Sequence, residues 1–508
     1  MITKRWHVQF TPAVLRLPTE PLPFVRELPT DWGGWLGLEG VVPGTPFLLS
    51  PRYEYDVALN DFFQSVEMVG HAANTQAGYA RDFAAFLTFM WSARDGRSWR
   101  DVTETDHRAY LFWRRRDPEG PRISGATWDR EVAAVNRFYR WAVRRGHVQV
   151  NPVPQVSRRP ARLEADWAHR GTLDEQRPAT YSHDAARERM QWLPPREYRR
   201  WREVGVRGFT SECLPEERFR GRWAARNATF CDLMVRTGLR LSEQAALTGF
   251  EVPLDRTVGG YQRFWLPGPI AKGGSGRWIY VPASVVADLV AYAEIDRAEV
   301  VAAAQTAGRY RGIQRPLVVE DPERPVATRI TSGGVRRRVK IAQLDAQERR
   351  SLLVEGPAGL EPAQFWLGEH GQPLSVHRWK KMFAEANSRC ARAGVALAAH
   401  AHMLRHTFAV VTLEQLQRGH IAELAALNPE QRGHYHRIFG DPLDWVRRRL
   451  GHRSVVTTQI YLHALAELEM NTRMALVPDG WDDPRTIPVE ALAADHEVGT
   501  EKTVRSSR

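Results

Sequence analysis

Arg240, Lys272, Arg405 and Tyr461 lie in four short stretches whose side chains can grip an anion and attack it. The first stretch is Thr237-Gly238-Leu239-Arg240-Leu241-Ser242-Glu243. Gly238 can end one helix in the left-handed conformation and Ser242 can cap the next, which puts Arg240 at the junction with Glu243 three residues on to hold its guanidinium. Taken alone, the same residues also describe a solvated arginine beside a helix start. The second stretch, Ala271-Lys272-Gly273-Gly274-Ser275-Gly276-Arg277, sets a lysine in a glycine-rich turn. A mobile ammonium there can screen charge or donate a proton, whereas an ordinary turn lysine only solubilises; the spacing is not that of a P-loop.

The third stretch, His402-Met403-Leu404-Arg405-His406-Thr407-Phe408, places His402 and Arg405 on one helical face, with His406 four residues from His402. Zinc chelation by the two histidines is opposed by the lack of an HExxH glutamate and by the arginine between them, so an anion is the better guest. The fourth stretch is Leu450-Gly451-His452-Arg453-Ser454, followed by Thr457-Thr458-Gln459-Ile460-Tyr461. Burial of Ile460 and Leu462 would fix the Tyr461 ring; for any single tyrosine a plain core role is the competing reading. Read as one site, the residues suit a phosphodiester. A five-coordinate phosphorus gains negative charge on its non-bridging oxygens, which paired bidentate arginines match. A phenol, with an ordinary pKa of about 10, becomes a nucleophile when a base and nearby cations lower the cost of losing its proton. No carboxylate cluster for divalent metals is evident in the sequence, so neither a metal nor a cofactor is expected.

The elements that must position these groups can be read from periodicity. Tyr79, Phe83, Phe86, Leu87 and Met90 line one face of a helix, as do Val132, Val135, Phe138, Tyr139, Ala142 and Val143. Asn151-Pro152-Val153-Pro154 then ends helical structure, so residues 55–155 read as a compact helical domain. Residues 1–54, rich in Pro and Gly, read as an irregular or short-strand appendage of unknown role. Residues 156–191 read as a basic and polar linker, 192–481 as one large domain, and 482–508 as a flexible tail. Within the large domain, Phe264-Trp265-Leu266 and Trp278-Ile279-Tyr280-Val281 flank glycine-rich sequence as a hairpin would, and the rest reads as mostly helical. The expected class is therefore mainly α with a small β-sheet or hairpin.

Composition bounds the partners. A chain of 508 residues, 43% hydrophobic and 26% charged, has room for about three domains and is excluded as a peptide scaffold or a wholly disordered chain. Lys and Arg number 71 against 59 Asp and Glu, a formal net charge of +12 that favours a polyanion. Three cysteines without CxxC spacing argue against a disulfide framework and a thiolate zinc site, and fit a reducing cytoplasm. No apolar run is long enough to span a membrane and the start has no signal-peptide core, so no membrane partner is expected.

The four stretches, in this order, resemble the tyrosine recombinase (phage integrase) family, whose signature is TGLR-x-SE, a hairpin lysine, HxLRH, and LGH followed nine residues on by the nucleophilic tyrosine. Thr75-Gln76-Ala77-Gly78-Tyr79 and Gly146-His147-Val148-Gln149-Val150-Asn151-Pro152 extend the likeness to that family's helical core-binding domain, so it covers residues 55–475. The resemblance implies a core-binding and a catalytic domain that clamp DNA. Tyr461 would attack the scissile phosphate and form a 3′-phosphotyrosyl link, Arg240 and Arg405 would clamp the phosphate, and Lys272 would protonate the leaving 5′-oxygen. His402 would act as acid and base near the nucleophile, His452 would hydrogen-bond the phosphate, Glu243 would orient Arg240, and His406 would buttress the site. The implied partner is double-stranded DNA at specific sites, bound by a homotetramer on two duplexes in the bacterial cytoplasm and nucleoid, without ATP. Further DNA contacts are expected from Arg158, Arg159 and Arg162 in the linker and from Arg336, Arg337, Arg338 and Lys340, for which a solvated basic face is the alternative.

The sequence departs from the family pattern where residues 297–362 and 418–444 look expanded. A type IB topoisomerase shares the chemistry but rejoins the same strand, and a DNA-binding regulator with a dead site is the non-enzymatic alternative. The layout of two domains and a short tail favours the recombinase over the first, and the intact six-residue set favours it over the second.

Overall fold

The computed structural model describes residues 5–15, 31–157, 176–182, 190–217, 219–255, 260–313, 316–330, 335–426, 441–452, 454 and 457–462. The chain divides into two compact units, residues 1–189 and 190–508. Both are built mainly from helices with small β-sheets, the class expected from the sequence. No helix among the described residues is long and apolar enough to cross a membrane. The expected tail at 482–508 and the basic linker residues Arg158, Arg159 and Arg162 lie outside the described residues.

In unit 1, β1 (His7–Phe10) pairs antiparallel with β2 (Pro46–Leu49), with α1 (Trp32–Leu38) between them in sequence. Helices α2 (Val57–Gln64), α3 (Val66–Val69), α4 (Ala73–Ala93), α5 (Glu104–Arg115) and α6 (Gly125–Arg144) follow, and β3 (Gln155–Ser157) pairs with β4 (Gln176–Pro178). Asp56 and Ser124 start α2 and α6 by accepting from the backbone N–H groups of Leu59 and Thr127. The apolar stripes meet as periodicity requires: Phe83, Phe86, Leu87 and Met90 of α4 share a core with Val132, Val135, Phe138, Tyr139 and Ala142 of α6. Val143, at the margin of its stripe, is exposed. Full burial of such a side chain contributes about 1.5–3 kcal/mol.

Two segments read from sequence as appendage and linker join this core. Leu48 is buried, and its backbone N–H and C=O are both paired by the Asn60 side chain. Residues 176–182 pack on α6, where the Thr180 carbonyl accepts from Trp128 Nε1 at 2.7 Å and Asp129 accepts from the Ser182 N–H at 2.7 Å. Buried polar groups need partners, and here chain distant in sequence supplies them.

Unit 2 begins with α7 (Pro195–Trp201), extended by a wider turn at Arg202–Val206, then α8 (Ala224–Thr237) and α9 (Leu241–Ala245). Strands β5 (Tyr261–Leu266) and β6 (Arg277–Pro282) form the expected hairpin, with Phe264 opposite Ile279. Helices α10 (Ala283–Ala291) and α11 (Ala298–Thr306) precede a five-stranded sheet of β7 (Leu317–Val319), β8 (Val326–Ile330), β9 (Arg336–Lys340), β10 (Leu352–Gly356) and β11 (Gly359–Pro362). Its order is β11-β10-β7-β8-β9, with β7 and β10 parallel. This sheet replaces the mostly helical structure expected there; its strands have only three to five residues, too few for a period to show. Helices α12 (Val376–Arg392), α13 (Ala401–Ala426) and α14 (Pro442–Leu450) and a last turn of helix at 457–462 complete the unit. The main core packs Trp201, Phe230, Leu266, Trp366 and Trp379, and a smaller one joins Phe408, Leu413, Val446, Leu450 and Tyr461.

Candidate functional site

Two helix ends and two helix starts in unit 2 build the site. Helix α8 stops at Gly238, whose φ of 67° is the left-handed conformation that closes a helix, and α14 stops the same way at Gly451, φ 64°. A Cβ at Gly238 would collide with Phe408 and Leu450, so the first stretch packs directly on the third and fourth. Arg405 joins them chemically. Its side chain is 1% exposed and donates to the carbonyl of Gly238, to that of Leu450 at 2.5 Å, and lies 3.3 Å from His452 Nε2. One guanidinium thus ties together two helix C-termini, whose unpaired carbonyls favour a cation.

Arg240 occupies the N-cap of α9, the place expected for Ser242. The reason is Glu243, whose carboxylate accepts from the Arg240 backbone N–H at 3.0 Å and from its guanidinium at 2.9 Å. Glu243 is fully buried and holds more than Arg240. It accepts from the Lys272 backbone N–H at 3.2 Å and from Arg277 Nη2 at 2.6 Å, so one carboxylate fixes both the arginine and the turn that carries the lysine. Burial would raise its pKa, but the Arg277 hydrogen bonds and charge, with Arg240, outweigh this and hold it at about 2.

Arg277 is the site residue that sequence reasoning missed. It sits at the start of β6 with a side chain 6% exposed, binds Glu243, and donates from Nε to the Arg449 carbonyl at 2.8 Å. A Cβ on Gly451 would lie 3.1 Å from Arg277 Nη1, so the bare glycine lets the end of α14 close on this guanidinium. The signal was the apolar residue pattern of β6, which puts position 277 on the buried face with Ile279 and Val281.

Tyr461 is 1% exposed, and its hydroxyl lies 3.1 Å from His406 Nδ1. Thus His406, not His402, touches the candidate nucleophile. His402 is solvent-exposed and stacks edge-on against His406 with ring centroids 4.2 Å apart. His452 lies parallel to the Tyr461 ring at 6.3 Å and is oriented by Thr458 at 3.0 Å. Ile460 and Leu462, expected to bury and fix the tyrosine ring, are exposed; Tyr461 belongs instead to the small core with Phe408, Leu413 and Val446.

The electrostatics show a surplus of positive charge. Burial, then repulsion from Arg240, lowers Arg405 to about 9. Burial and then neighbouring cationic groups bring His406 to about 3 and His452 to about 4, and lower His402, on which Lys272 also acts. All three histidines are therefore neutral near pH 7. Burial raises the Tyr461 phenol, while Arg405 and Arg240 pull it down. Three guanidiniums, those of Arg240, Arg277 and Arg405, around the buried Glu243 carboxylate make a receptor for an anion. No group of three His, Cys, Asp or Glu among the described residues is placed to hold a metal ion. Arg336, Arg337, Arg338 and Lys340 are not part of this cluster; they form β9 in the five-stranded sheet.

Comparison with known proteins adds a family context. Residues 59–146, spanning α2 to α6, match the phage integrase N-terminal SAM-like domain. The tyrosine recombinase XerC of Roseiflexus castenholzii (strain DSM 13941 / HLO8) is 26% identical over 226 residues, 44% of this chain and 57% of the relative. XerC of Roseiflexus sp. (strain RS-1) is 26% identical over 183 residues, 36% of this chain and 46% of the relative. The chain thus spans about half the length of these curated relatives. A solved structure of the XerH site-specific recombinase bound to palindromic difH substrate aligns with a TM-score of 0.42 and 15% identity over 80% of each chain. The Tn1549 transposon integrase in complex with transposon right end DNA aligns with a TM-score of 0.43 and 13% identity over 82% of this chain and 98% of the other. In its sequence and in its N-terminal domain, the chain resembles the tyrosine recombinases.

Proposed function

We propose that the protein is a site-specific DNA strand transferase, a recombinase of integrase or transposase type, that cuts and rejoins double-stranded DNA through a 3′-phosphotyrosyl intermediate. The observation that carries this reading is the Tyr461 hydroxyl on His406, one helical position from an Arg405 that bonds no carboxylate among the described residues and faces the charges of Arg240 and Arg277. An anionic phosphodiester relieves that repulsion, and the arginines stabilise the charge that grows on its oxygens. The Tyr461 oxygen forms the new bond to phosphorus as its proton passes to His406. The bond to the 5′-oxygen breaks, and Lys272 supplies the proton that oxygen needs. His452 hydrogen-bonds a phosphate oxygen, and His402 assists the proton transfers beside His406. A 5′-hydroxyl from the partner strand reverses the step, so bond energy is conserved and ATP is not consumed. Since Tyr461 is 1% exposed, residues 457–462 shift for the phosphate to reach it.

In this reading a homotetramer acts on two duplexes, in the bacterial cytoplasm and on nucleoid DNA. The test is a nicked suicide duplex that loses its 5′-hydroxyl fragment on cleavage. Wild type is expected to form a covalent adduct and Tyr461→Phe to bind DNA without forming one; an adduct that persists in Tyr461→Phe overturns the assignment. Exchange between two defined sites supports the recombinase, whereas relaxation of supercoiled DNA lacking such sites indicates topoisomerase activity.

A further inference from the structure

The geometry points to the edge strand β9 as a second DNA contact, a row of cations for the phosphate backbone outside the cleavage site. This rests on the strand-transfer reading. Three observations carry it. First, β9 is the outer strand of its sheet, and its register on β8 sets Val339 beside the buried Ala327. Alternation then puts Arg336, Arg338 and Lys340 on the opposite, solvent face, about 6.6–6.8 Å apart along one line.

Second, this charge is not neutralised. Arg338 and Lys340 have no ion-pair partner among the described residues, and Arg336 meets only an exposed Glu320 at 3.8 Å. Elsewhere exposed arginines find tighter carboxylates, as Arg130 does with Asp82 at 2.8 Å. A charged edge also resists the addition of another strand, so an extended protein segment is a poor occupant, whereas a polyanion is a good one.

Third, the row is rigidly joined to the candidate site. Lys340 leads into the turn Ile341–Gln343, which packs on the turn Gly268–Ile270, two residues before Lys272. Arg349, fully buried, fixes this arrangement: it donates to the carbonyls of Ile341 at 3.0 Å and Leu344 at 3.1 Å, to Ala246 just beyond α9 at 3.3 Å, and to Glu251 at 2.9 Å. A duplex with its scissile phosphate at Arg240 and Arg405 has neighbouring phosphates for such a row to meet.

The test compares the full chain with Arg336→Ala/Arg338→Ala/Lys340→Ala, measuring affinity for a duplex of arbitrary sequence from low to moderate salt. The expected result is weaker binding to all sequences and a slope of log affinity against log salt that is smaller by about 2.7, for three lost phosphate contacts. Arg336→Lys/Arg338→Lys is expected to keep the slope, and equal thermal unfolding of the variants shows that charge, not folding, is read. An unchanged slope in the triple variant overturns the inference and leaves the strand-transfer reading standing if the suicide duplex still traps Tyr461. Binding of a polyglutamate peptide that the triple substitution abolishes while leaving duplex binding unchanged overturns it in favour of an acidic protein partner. Failure of wild type to bind any duplex overturns the strand-transfer reading itself.

Discussion

Buried charge is balanced in unit 1 and unbalanced at the candidate site of unit 2. In unit 1, Glu131 is 2% exposed and accepts from Tyr110 at 2.8 Å and from Arg114, whose pKa rises because this pairing outweighs the cost of its burial. Asp82 has Arg130, and Asp106 has Arg94 and Arg97. In unit 2, Glu243 is the carboxylate among Arg240, Arg277, Arg405 and the Lys272 turn, and Arg405 falls to about 9. The pairing of the guanidinium, with a carboxylate in one unit and with carbonyls in the other, separates a scaffold from a receptor. A paired guanidinium only holds helices together, whereas one lowered by burial and then by neighbouring cations gains when an anion arrives.

The largest test of this contrast is at Arg405. Arg405→Lys leaves one of the two helix-end carbonyls without its donor and loses the planar fork. Adduct formation on a suicide duplex is expected to fall by about 10²–10³-fold, as for removal of one transition-state donor. The corresponding change in unit 1, Arg114→Lys, is expected to alter adduct yield little, so a comparable loss there would erase the distinction.

Next come the carboxylates. Glu243→Gln strands Arg277 and Arg240, and Glu131→Gln strands Arg114; each is expected to cost about 3–5 kcal/mol in urea unfolding. The two should differ in anion response. Sulfate is expected to restore more stability to Glu243→Gln than to Glu131→Gln, since only the former adds to an existing surplus of cations.

The smallest effect is in pH. His406 and His452 are held near 3 and 4, below the ordinary 6.5, first by burial and then by surrounding cationic groups. The folded state therefore binds fewer protons than the unfolded one below pH 6.5. Stability is complete above that pH and is lost as pH falls towards 3–4. His107 in unit 1 is also held at about 4, but by burial alone. Sulfate should consequently flatten the acid decline contributed by unit 2 and leave that of His107 in place, as read from histidine ring NMR shifts during titration.

What the sequence disclosed follows from local physics. Gly238 announced its helix end, and the stripe Phe83, Phe86, Leu87 and Met90 announced its core face, because each depends on residues a turn or two away. The choice between His402 and His406 could not be made this way. Both lie on one helix face, and what distinguishes them is a tyrosine hydroxyl delivered from 55 residues further along the chain. Arg277 was similarly hidden, since its partners Glu243 and the Arg449 carbonyl come from opposite sides of it in sequence. The five-stranded sheet hid for another reason: its strands are short, and β7 meets its parallel neighbour β10 only after β8 and β9 have intervened.

The double grip of Arg405 on the Gly238 and Leu450 carbonyls also acts as an interlock on damage. If either helix end frays, the guanidinium loses an anchor at the same moment that the phosphate would lose its clamp. On the strand-transfer reading proposed above, a partly unfolded copy could hold DNA through other surfaces, yet it could not cut. On that reading, failing in the uncut state is the safer fault.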